Sequence, residues 1–342
     1  SRNARFFTML GTLVRGRICV GGGAASGTRK ALSIATRYAL KRTQFRQPGL
    51  GEEILLLDYQ THQRKLLPNI AKAYAYGFAQ NEIALQLQRV TEAAGSDPTA
   101  ARELETRAAG MKALLTRWAN DTIQVCREAC GGAGYLSENG LTMLRQDADV
   151  FATFEGDNTV LLQLVAKALL LDYKKTWGDM DMRGTAQATA RMLGGTFLER
   201  TTAKAVIDRI LSGSKSKDVG SRAWHIEMFE DREKHTVEGL AKRMRAAAKA
   251  SDSFAAVNAC QQHMLAAARA HTDRVVLEAF IEGIHECQDP YIASILGKVC
   301  DLYALATIEE NRGWYLEHER FDGTRSKAVT EAIDASCRDL RP

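Results

Sequence analysis

The chain has 342 residues, of which 45% are hydrophobic and 25% charged, and its 46 Lys and Arg against 41 Asp and Glu leave a net charge of +5. That composition describes a globular chain long enough for two domains with their own cores. It contains no run of 18 uninterrupted apolar residues, so no membrane span is expected. Ser1-Arg2-Asn3-Ala4-Arg5 lacks the apolar core of a secretory signal, and Asp339-Leu340-Arg341-Pro342 is not a peroxisomal address. Seven cysteines without regular spacing point to reduced thiols in a cytoplasmic protein. The charge is unevenly spread: residues 1–51 carry ten Lys and Arg and no Asp or Glu. Such a segment is a solvated face, a nucleic-acid patch, or a site for phosphate-rich small molecules, whose oxygens suit the arginine fork.

In chain order, 1–45 reads as one long helix interrupted by Gly21-Gly22-Gly23. Three glycines weaken a helix, and they make sense where another backbone or a ligand must come close. The dinucleotide fingerprint is not met, since Ser26 stands where its last glycine should be and no strand precedes it. The helix is expected to close with Tyr38 to Phe45, before the breaker Gln47-Pro48-Gly49. A second long helix is expected over Glu52–Glu92, from the helical spacing of Ile54, Tyr59, Leu66, Ile70, Phe78 and Leu87. Gly95-Ser96-Asp97-Pro98 is a turn with proline at the next helix entry, which leads to a third helix over about 99–129. A glycine turn, Gly131-Gly132-Ala133-Gly134, and an irregular polar passage follow. Phe154-Glu155-Gly156-Asp157-Asn158-Thr159 then enters a fourth helix that reaches about Lys175. Four helices with short joins make an antiparallel bundle.

Glu155 stands where an irregular segment enters a helix. Beside Phe154 it can be partly desolvated, which makes a carboxylate a better base, while the plain alternative is a cap or a surface charge. Cys126 and Cys130 are one turn apart without His or Cys partners nearby, which argues against a metal site. Beyond a linker at 177–188, helices are expected near 189–212, 219–250, 252–286 and 290–312. The histidines at 225, 235, 263, 271, 285 and 318 are scattered and carry no catalytic constellation.

The Gly-Gly turn followed by Phe154-Glu155-Gly156-Asp157-Asn158-Thr159-Val160 resembles the C-terminal helical domain of acyl-CoA dehydrogenases and, more closely, acyl-CoA oxidases. Arg42-Thr43-Gln44-Phe45 resembles the same family's Arg-x-Gln/Thr-Phe motif, with Arg46 where glycine is usual. The resemblance implies an all-α fold, an antiparallel four-helix bundle over 1–176 followed by a second helical domain over 189–342. It implies an FAD-dependent oxidation of acyl-CoA to trans-2-enoyl-CoA, with Glu155 removing the α-proton and O2 reduced to H2O2. The thioester carbonyl would be held by the glutamate's own N–H and a flavin hydroxyl, as is usual for oxyanion stabilisation. Arg42, Gln44 and Phe45 would hold the FAD of a neighbouring subunit, and Gly131, Gly132, Asp157 and Thr159 would also face the cofactor. Arg17 and Gly156 would lie at the substrate. At Gly16 a few subfamilies place an alternative catalytic glutamate, and no carboxylate precedes Glu52 here. The family carries a helical and a β domain upstream, so a C-terminal fragment is expected, inactive alone and working as at least a homodimer with those domains. The extension beyond Trp177 favours an oxidase. A dehydrogenase serving an electron-transfer flavoprotein and a non-catalytic helical scaffold remain alternatives. A nucleic-acid partner is not expected, because the basic first helix has no interleaved aromatics or reader motif.

Overall fold

The computed structural model describes residues 2–46, 49, 51–93, 97–177, 203–213 and 218–341. Helix α1 (Arg2–Ala39) runs straight through Gly21–Gly23. Those glycines let two neighbours come close: a Cβ on Gly21 would sit 3.1 Å from a Leu115 methyl, and one on Gly22 would sit 3.2 Å from the Gln80 amide. That amide donates to the Ile18 carbonyl at 2.9 Å, which ties α1 to the next long helix.

Helix α1 ends at Ala39, and the rest of the expected helix end, Thr43–Phe45, is strand instead. Strand β1 (Thr43–Arg46) pairs antiparallel with β2 (Glu53–Leu55), with Thr43 opposite Leu55 and Gln44 opposite Ile54. The register slips between Gln44 and Arg46, where Phe45 takes φ 61 as the extra residue of a bulge. Side chains lock the hairpin: Thr43 donates to a Glu53 carboxylate oxygen at 2.8 Å, and the Tyr59 hydroxyl donates to the Gln44 carbonyl at 2.6 Å. Left-handed Gly49 (φ 89) and Gly51 (φ 70) serve the connection. The second helix therefore starts later than Glu52. A 3-10 turn at Leu56–Asp58 leads into α2 (Gln60–Glu92).

Helix α3 (Pro98–Ala129) begins as its sequence predicts, with the Asp97 carboxylate accepting from the Thr99 and Ala100 N–H groups and proline in the first turn. The passage after it is more ordered than its polarity suggests. Gly131–Tyr135 and Ser137–Asn139 are 3-10 turns, α4 covers Leu141–Asp149, and a 3-10 turn at Val150–Ala152 leads back to the middle of the bundle. Helix α5 (Asn158–Trp177) completes the four. Cross-links fix the directions. Asn69 accepts from Trp118 at 3.1 Å while Glu82 pairs with Arg107 at 2.9 Å, so α2 and α3 run antiparallel. Arg17 lies opposite Glu105 and Gly21 opposite Lys112 and Leu115, so α1 and α3 run parallel. This is the up-down-up-down bundle.

The remaining described helices are α6 (Lys204–Gly213), α7 (Arg222–Ala247), α8 (Ser253–Asn258), α9 (Gln261–His285), α10 (Pro290–Glu310), α11 (Arg312–Glu317) and α12 (Gly323–Asp339). The expected helix 252–286 is thus broken at Ala259–Cys260, and α12 went unforeseen. The expected linker at 177–188, except Trp177, and the segment 189–202 lie outside the described residues. Helix α9 packs on α2, α3 and α5: Phe78 stacks on Phe280 at 5.0 Å, and Thr272 fills the space left by Gly110, where a Cβ would lie 2.5 Å from its hydroxyl. Helix α10 is, among the described residues, the one helix long and apolar enough to cross a membrane, and 56% of its apolar window is buried inside the protein. Its apolarity serves packing, since Tyr303 meets Tyr76 of α2 edge-on. The main core runs from Val14 on α1 to Cys337 on α12.

Candidate active site

Glu155 ends the passage that returns from α4, and its backbone is left-handed with φ 58, followed by Gly156 at φ 110. An L-residue takes that conformation at a price in strain, and in this chain only Phe45, Glu155 and Glu319 do so outside glycine among the described residues. The turn aims the Glu155 carboxylate at α1. A Cβ on Gly16 would lie 2.6 Å from Cδ and Oε1 and 2.7 Å from Oε2, so glycine is what makes room for it. Gly16 thus fits the sequence argument from a new direction: the position that could hold a rival carboxylate is the floor under this one. Phe154 is 54% exposed, so the helix, and not this ring, shields the half-buried carboxylate. Oε2 is buried and has no hydrogen-bond partner.

Arg17, the next residue of α1, is 4% exposed, and its Nε and Nη1 are buried without hydrogen-bond partners; Glu105 is 3.9 Å away. A buried guanidinium with open donors beside a carboxylate with an open acceptor is a polar site whose hydrogen bonds a ligand would complete.

Sequence reasoning missed Lys112, on α3. It is wholly buried, and its ammonium donates to the carbonyls of Ala152 at 3.2 Å and Gly156 at 2.6 Å and to Asn158 Oδ1 at 3.0 Å. Burial pushes the ammonium down to about 8, with Asp157 and Glu155 pulling it up and Arg17 pushing it down. One turn along α3, the Thr116 hydroxyl accepts from Asn158 Nδ2 at 2.9 Å. The available signal was one charge inside the apolar run Ala108-Ala109-Gly110-Met111-Lys112-Ala113-Leu114-Leu115. Asp157, expected at the cofactor, caps α5 through Oδ1, accepting from Thr159 N–H at 2.8 Å and Val160 N–H at 3.4 Å; Thr159 is exposed. Burial pushes the Cys126 thiol up to about 12 and raises that of Cys130, so both behave as small core residues.

The expected site residues fall into two groups. Arg17, Glu155 and Gly156 lie in the middle of the bundle around Gly16, which was not among them, with Asp157 and Thr159 just beyond. Arg42, Gln44 and Phe45 lie on the hairpin past the end of α1, all exposed, the Phe45 ring by 70%. Gly131 and Gly132 follow the end of parallel α3, and a Cβ on either would meet no atom within 4 Å. Open glycine backbone, an exposed arginine and an exposed aromatic ring fit a flavin dinucleotide: the first two suit its pyrophosphate and the third its ring system. From Gly16 to Ala39, α1 is about 35 Å long at about 1.5 Å per residue. A ribityl chain is far too short to bridge that distance.

Two family models match the chain, the acyl-CoA oxidase C-alpha1 domain over residues 10–170 and acyl-CoA oxidase over 223–342. The chain belongs to the acyl-CoA oxidase family. Among its acyl-CoA oxidase relatives, the peroxisomal acyl-coenzyme A oxidase 2 of Arabidopsis thaliana is 34% identical over 99% of this chain and 48% of its own length. The solved structure of Arabidopsis acyl-CoA oxidase 1 superposes with a TM-score of 0.81 at 27% identity, covering 97% of this chain and 49% of that one. An acyl-CoA oxidase-1 from Caenorhabditis elegans, solved in complex with FAD and ATP, shares the fold with a TM-score of 0.81 at 24% identity, over 96% and 48% of the two chains. The chain spans about half the length of the acyl-CoA oxidases it matches.

Proposed function

We propose that this chain is the catalytic helical half of an FAD-dependent acyl-CoA oxidase that converts acyl-CoA to trans-2-enoyl-CoA. The observation that carries the reading is the Glu155 carboxylate, held over Gly16 by a left-handed turn with Oε2 unpartnered. Glu155 takes the α-proton of the bound thioester. FAD, when bound, would supply the acceptor for the β-hydride, and that hydride together with the α-proton would account for the reduction of O2 to H2O2. Arg17 offers the two donors that make no hydrogen bond, Nε and the Nη1 that faces Glu105 at 3.9 Å, to the substrate's anionic or carbonyl oxygens. Gly156 leaves the approach to Glu155 narrow in backbone and free of side chain. Arg42 and the Gly131–Gly132 backbone hold the pyrophosphate and Phe45 lies along the flavin. Asp157 and Thr159 border the same cofactor.

Since the hairpin lies about 35 Å along α1 from Glu155, this chain's Arg42, Gln44 and Phe45 serve the site of a second copy, and the working unit is at least a homodimer. The division of the chain at 177–188 belongs to the same proposal, supported by the gap between the two matched stretches, 10–170 and 223–342. The seven free cysteines suit a reducing compartment, and on that ground the cytoplasm is proposed, against a relative whose name reads peroxisomal.

The test uses the full-length protein loaded with FAD and mixed with saturated acyl-CoAs. Flavin bleaching followed by oxygen-dependent peroxide release is the expected result; bleaching without peroxide would mean a dehydrogenase, and no bound flavin would mean a scaffold. Glu155→Gln should keep its FAD and slow bleaching by about 10³-fold or more, the range of a lost general base. Wild-type bleaching in that variant would remove Glu155 from the mechanism.

A further inference from the structure

We propose that Lys112 is the residue that positions Glu155, acting through the backbone of the turn that carries it; the inference rests on Glu155 being the base. A left-handed pair of residues does not hold itself in place, because an L-residue released from its surroundings leaves that conformation. Something rigid must over-determine the turn, and here it is α3. The Lys112 ammonium has three protons, and three acceptors surround it: the Ala152 carbonyl before Glu155, the Gly156 carbonyl after it, and the Asn158 side chain at the first residue of α5. Both flanks of the base and the start of the following helix are therefore tied to one point. Thr116 repeats the attachment one helical turn further on by holding the other end of the Asn158 amide.

A lysine buried this deeply among alanines and leucines is expensive unless every donor is used, and here every donor is. Neither arginine nor glutamine offers the same three-way point. With Lys112 charged near neutral pH, the tie is complete. Lys112 donates to protein groups only, so apart from the field of its charge on Glu155 its effect reaches the reaction through the placement of Glu155 above Gly16.

The test is single-turnover flavin bleaching by a saturated acyl-CoA in the FAD-loaded full-length enzyme, with acyl-CoA affinity measured separately. Lys112→Met keeps the unbranched side chain to within one atom of its length and removes all three donors. It should retain FAD and bind acyl-CoA within about threefold of wild type while bleaching about 10²-fold more slowly, the penalty for a base displaced by about 1 Å. Bleaching within about threefold of wild type, or a rate loss matched by an equal loss of acyl-CoA affinity, would overturn the proposal. If Lys112→Met does not fold, Asn158→Ala decides, since it leaves the ammonium only two acceptors: slower bleaching at unchanged affinity supports the tie, and unchanged bleaching refutes it. Glu155→Gln is run beside both. Should it bleach normally, the reading of Glu155 fails; should it be inactive while Lys112→Met is normal, only the role of Lys112 fails.

Discussion

Two buried polar regions of this molecule have opposite characters. Between α7 and α9, Glu233 accepts from His271 at 2.8 Å and from Arg274, which also reaches Glu278. Carboxylate and guanidinium are matched there within the protein. Around Glu155 the match is broken: Arg17 has two buried donors without hydrogen bonds, one of them only 3.9 Å from Glu105, and Glu155 has one buried acceptor without one, while Lys112 spends itself on two backbone carbonyls and the Asn158 side chain. Burial alone therefore does not mark function. Charges that complete one another hold helices together, whereas charges left incomplete mark where a ligand belongs.

After the loss of turnover in Glu155→Gln, the largest effect should come from breaking the matched region. Arg274→Met strands a buried carboxylate and should lower the stability of the full-length protein by about 3–5 kcal/mol in chemical denaturation. Flavin reduction per folded molecule should be unchanged; an altered rate would make the two regions parts of one site. The pH dependence sharpens the same contrast. Burial alone would raise the Glu233 pKa, but Arg274 and His271 outweigh it and bring it down to about 2. A carboxylate with a depressed folded value adds stability that is complete above the ordinary glutamate value of 4.5 and is lost as pH falls through about 2. In Arg274→Met that acid-dependent share should shrink, which denaturation curves between these pH values will report.

Gly16→Ala tests the incomplete region. Its new methyl would overlap the Glu155 carboxylate, so flavin bleaching should fall by about 10²-fold. Thermal stability should hold or rise, because alanine favours a helix by about 1 kcal/mol over glycine. A loss of stability equal to the loss of rate would mean that Gly16 is packing and no more. The smallest effect is expected from Asp157→Ala, which removes the cap of α5 at about 1 kcal/mol. If FAD affinity also drops in that variant, Asp157 reaches the cofactor besides capping the helix.

Helices with a periodic apolar face are legible in the sequence. Helix α3 begins at the proline its turn motif announces, and α2 and α5 end within a few residues of where the pattern fades. Segments without that periodicity were not legible. The sequence places Thr43–Phe45 at the end of a helix, yet strand Thr43–Arg46 pairs across the turn with Glu53–Leu55, and α4 is hidden in a polar passage. Phe154 was expected to shelter Glu155, and the shelter comes from α1.

By itself the sequence determined the helical architecture and the placing of Glu155 at a junction between loop and helix, because helix periodicity and glycine turns are written in neighbouring residues. Only the tertiary structure decided what lies under that carboxylate and what holds it. Gly16 and Lys112 reach the turn from two other helices, at separations in the chain that no local pattern encodes. The same holds for the distance between Arg42 and Glu155. It follows from the straight run of α1, and it assigns one chain's hairpin and its carboxylate to different places.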